Sequence, residues 1–537
     1  MVMNDPIGPT ESRNRVLLAI LVIGITSLFI VGAAYIYLVN LPASNVTPSP
    51  PPVNASLSIS STPVGVVSPS FWGLNVRADE ASSPATLSYV ASTPVKTMRW
   101  PGGDLAERYN MTANSGMGLV YNDNGSTIQP AWTTAQFVNW CVSISCQAIF
   151  TVPAEIDDPA LAASYVSYVE TTLDFHPAYW EIGNEPALWD HFGIPWTSWA
   201  SGQLSQVTPM KYAEVVHAYI SAMKIVDPTI RIIGLGGVGT GGTGETTWIT
   251  GTVSENGPNL TAVAIHVYPA GGGTAGETNT AIYSSITGAD GLTYRIPLDL
   301  AAIRSACPSC HIQIMVDEFN AASGSVLTGF MSGFSLVPFV TTELLQGICL
   351  NVSSMEIWDL ESGYPGSLFG SSGVARPISI LYSAILPRLD PEVLHITVTS
   401  TLSDVYALAT ENVSSHPSTA LLIANLNTTY PANIKLAGSG FPLNSSGTVW
   451  LWSSSYSAPQ SQKIGSSSQW VLPPESIGLW VGEGSVSATS HGSHMGLGNP
   501  TVVSTGASSP WVVVANGCRM SAMPTRIDRS SAGPFAH

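Results

Sequence analysis

Charge is scarce in this chain. Of 537 residues only 10% are Asp, Glu, Lys or Arg, against roughly a quarter in an average soluble protein. Lys and Arg number 18 against 35 Asp and Glu, a formal net charge of −17. Basic stretches with interleaved aromatics are lacking, so phosphate neutralisation cannot drive binding and nucleic acid is excluded as a partner. Cys307 and Cys310 form a CxxC, but no second CxxC and no spaced His pair accompany it. A zinc site is therefore not expected, nor any other metal or cofactor. The Gly-rich phosphate fingerprint of an open dinucleotide-binding sheet is missing too, since the first strand candidate runs into VRADEASSP. With so few charges the surface must be Ser, Thr, Asn and Gly, and stability is expected to depend weakly on pH.

What is present begins with a run of 24 uncharged residues at 16–39. At about 1.5 Å per residue it matches a hydrocarbon core of about 30 Å. Arg13 and Arg15 precede it and no basic residue follows until Arg77. The positive-inside rule then predicts a cytoplasmic 1–15, a transmembrane anchor at 16–39 and an extracellular remainder, with the membrane as a partner. A cleaved signal peptide, leaving a secreted protein, is the alternative. Residues 40–54, rich in Pro and Ser, read as a stiff spacer. Nine N-x-S/T sequons follow the apolar run, at Asn45, Asn54, Asn110, Asn124, Asn259, Asn351, Asn412, Asn427 and Asn444, as in an exported glycoprotein. Cys141 and Cys146 are close enough to bridge, Cys307 and Cys310 suit a local disulfide or two inert thiols, and Cys349 reads as core.

Between 63 and 387, eight near-continuous apolar strand candidates alternate with helical patterns: 71–76, 95–100, 147–152, 179–184, 231–236, 261–268, 311–319 and 354–360. Strands buried on both faces read this way. The pattern predicts an α/β fold, a (β/α)8 TIM barrel. From 388 to 484 the chain alternates polar and apolar without long helices, which predicts an antiparallel β-sandwich, with 55–62 adding a strand to it. The tail, 485–537, carries a GSHM that resembles an expression-vector scar, and is expected to be disordered.

Two strand candidates end on acids. YWEIGNEPALW (179–189) places Asn184 and Glu185 at the end of the fourth, and IMVDEFN (314–320) places Asp317 and Glu318 at the end of the seventh. Barrel chemistry sits at these C-terminal ends, and a Glu is a poor strand residue. Either acid alone could shape a turn or cap a helix. Together, at one edge, they suit glycosidic cleavage, which needs a proton donor and a carboxylate about 5–5.5 Å apart for retention of configuration. Asp317 and Asp359 read as structural.

The ending Asn-Glu-Pro on the fourth strand and Glu on the seventh resembles the retaining glycoside hydrolases of clan A. WEIGNEP and the RWPGG loop (99–103) are most similar to family 79, the β-glucuronidase and heparanase group, with families 39, 51 and 30 sharing the layout. The resemblance spans roughly 55–484. It implies Glu185 as general acid/base, Glu318 as nucleophile and Asn184 on the sugar 2-hydroxyl. Arg99 would support the nucleophile unless it pairs with Asp104 or Glu107. His266 and Tyr268 would stand beside Glu318, and Trp358 would offer a platform for a sugar face. The implied function is a retaining β-glycosidase acting on extracellular carbohydrate, a β-glucuronidase among the options. A β-xylosidase, an α-L-arabinofuranosidase, an endoglycanase or an inactive carbohydrate-binding surface protein are the alternatives.

Overall fold

The computed structural model describes residues 53–483 apart from 80–81, 113–119, 122–126, 129, 193–206, 239–243, 402–403, 413–417, 438–446, 456–458 and 465–468, together with 518–519. Eight parallel strands close into a barrel: Trp72–Asn75, Thr97–Trp100, Gln147–Val152, Tyr179–Ile182, Ile232–Gly236, Ala262–Val267, Gln313–Phe319 and Met355–Ile357. Each lies within one of the expected segments. Side chains alternate along them. Met98, Trp100, Trp180 and Ile182 point outward into the helix-packed core, while Ile149, Tyr179, Ile233, Ala262, Ala264 and Met315 fill the barrel interior. That period of two decides which polar residues face inward.

The helices form for local reasons. Pro209–Val226 follows the fourth strand, with Thr208 accepting the Lys211 amide as its cap and Pro209 in the first turn. Tyr212, Val215, Val216, Tyr219 and Met223 make its buried face. Thr134–Ile144 begins with a reciprocal capping box between Thr133 and Gln136.

The second layer is a ten-stranded sheet. Its strands include Glu392–Ser400, Val405–Asn412, Ser418–Asn425, Ala432–Ala437, Gly447–Ser453 and Ser476–Glu483, as the alternation predicts, and also Gln460–Ile464 and Gln469–Leu472. The first of these, QSQKI, is too polar to announce a strand, and the second, QWVL, is too short a run to show a period. The strand before the barrel is longer than expected, Val53–Val66, and pairs antiparallel with Glu392–Ser400 and parallel with Ala432–Ala437. Alternation sorts the sheet's faces. Leu421 and Ile423 join Leu57, Ile396, Trp470 and Trp480 in the sandwich core, whereas Leu422, Ala424, Ile477 and Leu479 belong to the core shared with the barrel. Each fully buried Leu or Ile there contributes about 1.5–3 kcal/mol.

Among the described residues no helix is long and apolar enough to cross a membrane. The single-pass membrane localisation and the anchor as a partner are corrected accordingly. Segments 1–15, 16–39 and 40–52 lie outside the described residues, as does all of the tail except Cys518–Arg519, a short strand beside Glu392–Ser400. Cys141–Cys146 and Cys307–Cys310 are disulfides. Cys349 is also disulfide-bonded and only half-buried, so it is no inert core thiol. One sequon is closed to glycosylation: Asn110 is 8% exposed and its side chain accepts from Thr112.

Candidate active site

Arg99 stands at the centre of the barrel mouth, completely buried. Its inward parity on the second strand aims it across the interior. Nε and Nη2 donate to Glu181 at 2.8 and 2.9 Å, Nη1 donates to Glu318 Oε2 at 3.1 Å and to Asn75 at 3.2 Å, and Nη2 also reaches Asn184 Oδ1 at 2.7 Å. Asp317 Oδ2 lies 3.3 Å from Nε. Asp104 and Glu107, the alternative partners suggested by the sequence, are not its ion-pair partners. Burial disfavours the charged guanidinium, yet Glu181, Asp317 and Glu318 outweigh this and raise its proton affinity well above the ordinary value.

A register shift explains how two consecutive acids on the seventh strand both face inward. Met315 pairs with Ala264, but Glu318 pairs with His266, so three steps on one strand match two on its neighbour. The extra residue of this irregularity re-aims Glu318 to the mouth while Asp317 keeps its interior position. Glu318 Oε1 accepts from the Tyr268 hydroxyl at 2.5 Å. Burial pushes the Glu318 carboxyl up and the neighbouring Glu185 adds to this, while His266 and Arg99 pull it back.

Glu185 enters from the fourth strand. Its backbone has φ of 45°, a left-handed conformation unusual for a side-chain-bearing residue. The surroundings hold it there: its amide donates to Gly236 at 2.9 Å, and the buried Trp189 indole donates to the Asn184 carbonyl at 2.7 Å. Glu185 Oε1 meets His266 Nδ1 at 2.8 Å, and His266 Nδ1 is 3.8 Å from Glu318 Oε2. Facing atoms of Glu185, His266 and Glu318 all fall within 4.8 Å of one another. The imidazole fits only because position 237 is glycine with φ of +66°; a Cβ there would run into the ring.

Thus Glu185, Glu318, Arg99, His266, Tyr268 and Asn184 converge on one end of the barrel. Trp358 stands at the same mouth, its ring against Gly103, where φ is +57° and a Cβ would collide with it, and beneath the Arg77 guanidinium at 5.6 Å. Asn184 is only 2% exposed, with its amide reaching Asp104 at 3.2 Å, so it braces the pocket wall.

Sequence reasoning missed three supports. Glu181 is the first: an acid at interior parity needs a buried cation, and Arg99 is that cation. Glu107 is the second. Fully buried, it accepts the amides of Ala154, Glu155 and Asn184 at 2.7, 2.8 and 2.5 Å, stitching the third and fourth strand ends together. Burial, with Glu155 adding, raises its pKa to about 8. Asn75 is the third, its amide donating to the Asp317 carbonyl at 2.8 Å. The latter two have no signal in a single sequence, because their partners are groups distant along the chain, main-chain amides for Glu107 and the Asp317 carbonyl and Arg99 side chain for Asn75.

By spacing alone, Glu185, His266 and Glu318 could hold a metal ion, as could Glu170, His176 and Asp227 near the opposite strand ends. At the mouth the Arg99 guanidinium already occupies the cation's electrostatic role beside Glu318.

No family model matches the chain. It is 24% identical over 266 residues to a probable α-L-arabinofuranosidase C of Aspergillus clavatus, covering 42% of this chain and 48% of that protein. It is 22% identical over 258 residues to the protein of the same name from Aspergillus terreus, with the same coverage. The chain therefore spans about half the length of the curated relatives it matches. Among solved structures, a family 51 α-L-arabinofuranosidase from Bifidobacterium longum superposes with a TM-score of 0.65 at 16% identity, over 81% of this chain and 100% of that one. The α-L-arabinofuranosidase of Thermotoga maritima in complex with arabinose gives 0.61 at 16%, over 80% and 100%. A family 44 xyloglucanase of Paenibacillus polymyxa gives 0.60 at 13%, over 80% and 100%. These neighbours belong to families 51 and 44, so the specific likeness to family 79 is not supported. The chain has the fold they share, an eight-stranded α/β barrel carrying an accessory antiparallel β-sandwich.

Proposed function

We propose that this chain is a retaining glycoside hydrolase, and within that class an α-L-arabinofuranosidase. The observation that carries the reading is the carboxyl pair: Glu185 and Glu318 approach within 4.8 Å across the barrel mouth. An approach this close between facing oxygens suits double displacement through a covalent intermediate. Glu318, held by Arg99 and Tyr268, attacks the anomeric carbon while Glu185 gives a proton to the departing oxygen. Glu185 then takes a proton from water as that water opens the glycosyl ester.

Charge bears on the choice of sugar, as does the likeness to arabinofuranosidases. A uronic acid carboxylate needs a cation, but the Arg99 donors are engaged with Glu181, Glu318, Asn75 and Asn184, and Arg77 is chelated by Asp79 at 2.7 and 3.0 Å. A β-glucuronide is therefore a poor fit. An α-L-arabinofuranoside presents its leaving group trans to the 2-hydroxyl, as β-D-glycosides do, so the same two carboxylates serve it.

A panel of nitrophenyl glycosides (α-L-arabinofuranoside, β-xyloside, β-glucoside, β-galactoside, β-glucuronide) tests the reading. Hydrolysis fastest on the arabinofuranoside and abolished by Glu318→Ala is the expected result. Preference for another sugar would overturn the narrower assignment. Turnover surviving in Glu318→Ala would overturn the mechanism.

A further inference from the structure

Asp317 touches neither the mouth nor solvent. It is completely buried, yet among the described residues no hydroxyl or amide satisfies its carboxylate. Its two oxygens instead face two different cation-capable groups: Oδ1 lies 3.4 Å from His266 Nε2 and Oδ2 lies 3.3 Å from Arg99 Nε. On the far side of the imidazole, His266 Nδ1 meets Glu185 Oε1 at 2.8 Å. Three side chains from three strands therefore form a line, carboxylate, imidazole, carboxyl, ending on the group assigned above as acid/base. His266 is 5% exposed, so both contacts lie out of bulk solvent.

We propose that Asp317 is a positioning residue for Glu185: it keeps a proton on His266 Nε2, so that the Nδ1–Oε1 hydrogen bond carries a single shared proton, and that proton is the one delivered to the departing oxygen. An imidazole nitrogen facing a buried carboxylate is the one that retains its proton, which leaves the other nitrogen to exchange with Glu185. In the resting state Asp317 is ionised, Nε2 is protonated and one proton lies between Nδ1 and Oε1. As the glycosidic C–O bond breaks and Glu318 forms its ester, this proton leaves with the departing oxygen. Glu185 is then ionised and His266 neutral. When water opens the ester, its proton returns to the Glu185–His266 pair. The charged and titratable groups facing this line are Glu318 with its Tyr268 hydroxyl, Arg99, and the buried carboxyls of Glu181 and Glu356, both of which act on Asp317. Burial opposes charge on the imidazole, but Glu318, Asp317 and Glu185 raise its proton affinity well above the ordinary value.

The activity arm of this proposal rests on the glycoside hydrolase reading, and the spectroscopic arm does not. Nitrogen-15 spectra of histidine-labelled protein, with His266 assigned by its loss in His266→Gln, report the tautomer directly. The expected spectrum has Nε2 protonated and Nδ1 intermediate between its bare and protonated limits; a bare Nε2 overturns the proposal even if Asp317 variants fail to fold. In the activity arm, Asp317→Asn removes one negative charge. It should move the alkaline limb of the kcat/KM profile about one pH unit lower. It should also slow glycosides with poor leaving groups at least tenfold more than a dinitrophenyl glycoside, which needs no acid. Equal losses on both substrates, or movement of the acidic limb alone, would place Asp317 with Arg99 and Glu318 and overturn the proposal. A wild-type chain that cleaves no glycoside defeats the enzymatic reading, and the tautomer then decides whether Asp317 orders His266.

Discussion

Arg99 Nη1 stands 3.1 Å from Glu318 Oε2 while the same guanidinium chelates Glu181 from below. One buried cation thus neutralises the proposed nucleophile and anchors itself in the barrel. Arg99→Met would remove the buried cation that Glu181, Asp317 and Glu318 share, a loss of about 3–5 kcal/mol. Urea unfolding of the variant should show that loss, and hydrolysis should fall by two orders of magnitude or more even at temperatures where it stays folded.

Tyr268 acts more locally. Its hydroxyl donates to Glu318 at 2.5 Å, and hydrogen bonds to charged groups are worth about 1.5–3 kcal/mol. Tyr268→Phe should leave the unfolding temperature nearly unchanged and lower kcat about 10- to 100-fold. An unchanged kcat would remove Tyr268 from the site.

Glu107 holds three backbone amides at the ends of the third and fourth strands. Glu107→Ala leaves those buried donors empty, at about 1–3 kcal/mol each before relaxation. The Asn184–Glu185 segment then loses its register. Activity should drop more than tenfold, measured as kcat/KM, because the damage falls on the segment that carries the proton donor.

Stability should fall as pH rises, contrary to the weak dependence expected from the sparse surface charge. Burial raises Glu107, and Asp299 on helix Leu292–Ala306, to about 8, and lifts Glu343 well above the carboxylate range. Each such acid keeps its proton in the folded state while the unfolded chain releases it above about pH 4.5. Between about pH 4.5 and the folded pKa, each group therefore costs up to about 1.4 kcal/mol per pH unit. Glu343 has no hydrogen-bond partner among the described residues. Melting curves should place the midpoint at pH 5 above that at pH 8, and Glu343→Gln should raise the midpoint at pH 8 more than at pH 5.

Much of this was legible in the residues themselves. Eight apolar runs interrupted by amphipathic helices announce a closed parallel barrel, because strands covered on both faces cannot alternate. Acids ending the fourth and seventh runs mark the open edge, because either alone could shape a turn or cap a helix but the two together at one edge suit glycosidic cleavage. The polar strand Gln460–Ile464 and the four-residue strand Gln469–Leu472 were not legible, since their place depends on neighbours that the local pattern does not name.

What the chain determines by itself is parity and period, which follow from covalent geometry and the burial of apolar surface. That was enough to nominate Glu185 and Glu318. Tertiary structure alone decided which buried charges meet. The register shift after Met315 turns two consecutive acids toward one cavity, Arg99 chooses Glu181 over the nearer Asp104 and Glu107, and His266 comes to lie between Glu185 and Asp317. Those choices are settled by desolvation: a buried charge must find a partner wherever closure of the ring brings one, and sequence separation has no bearing on that distance.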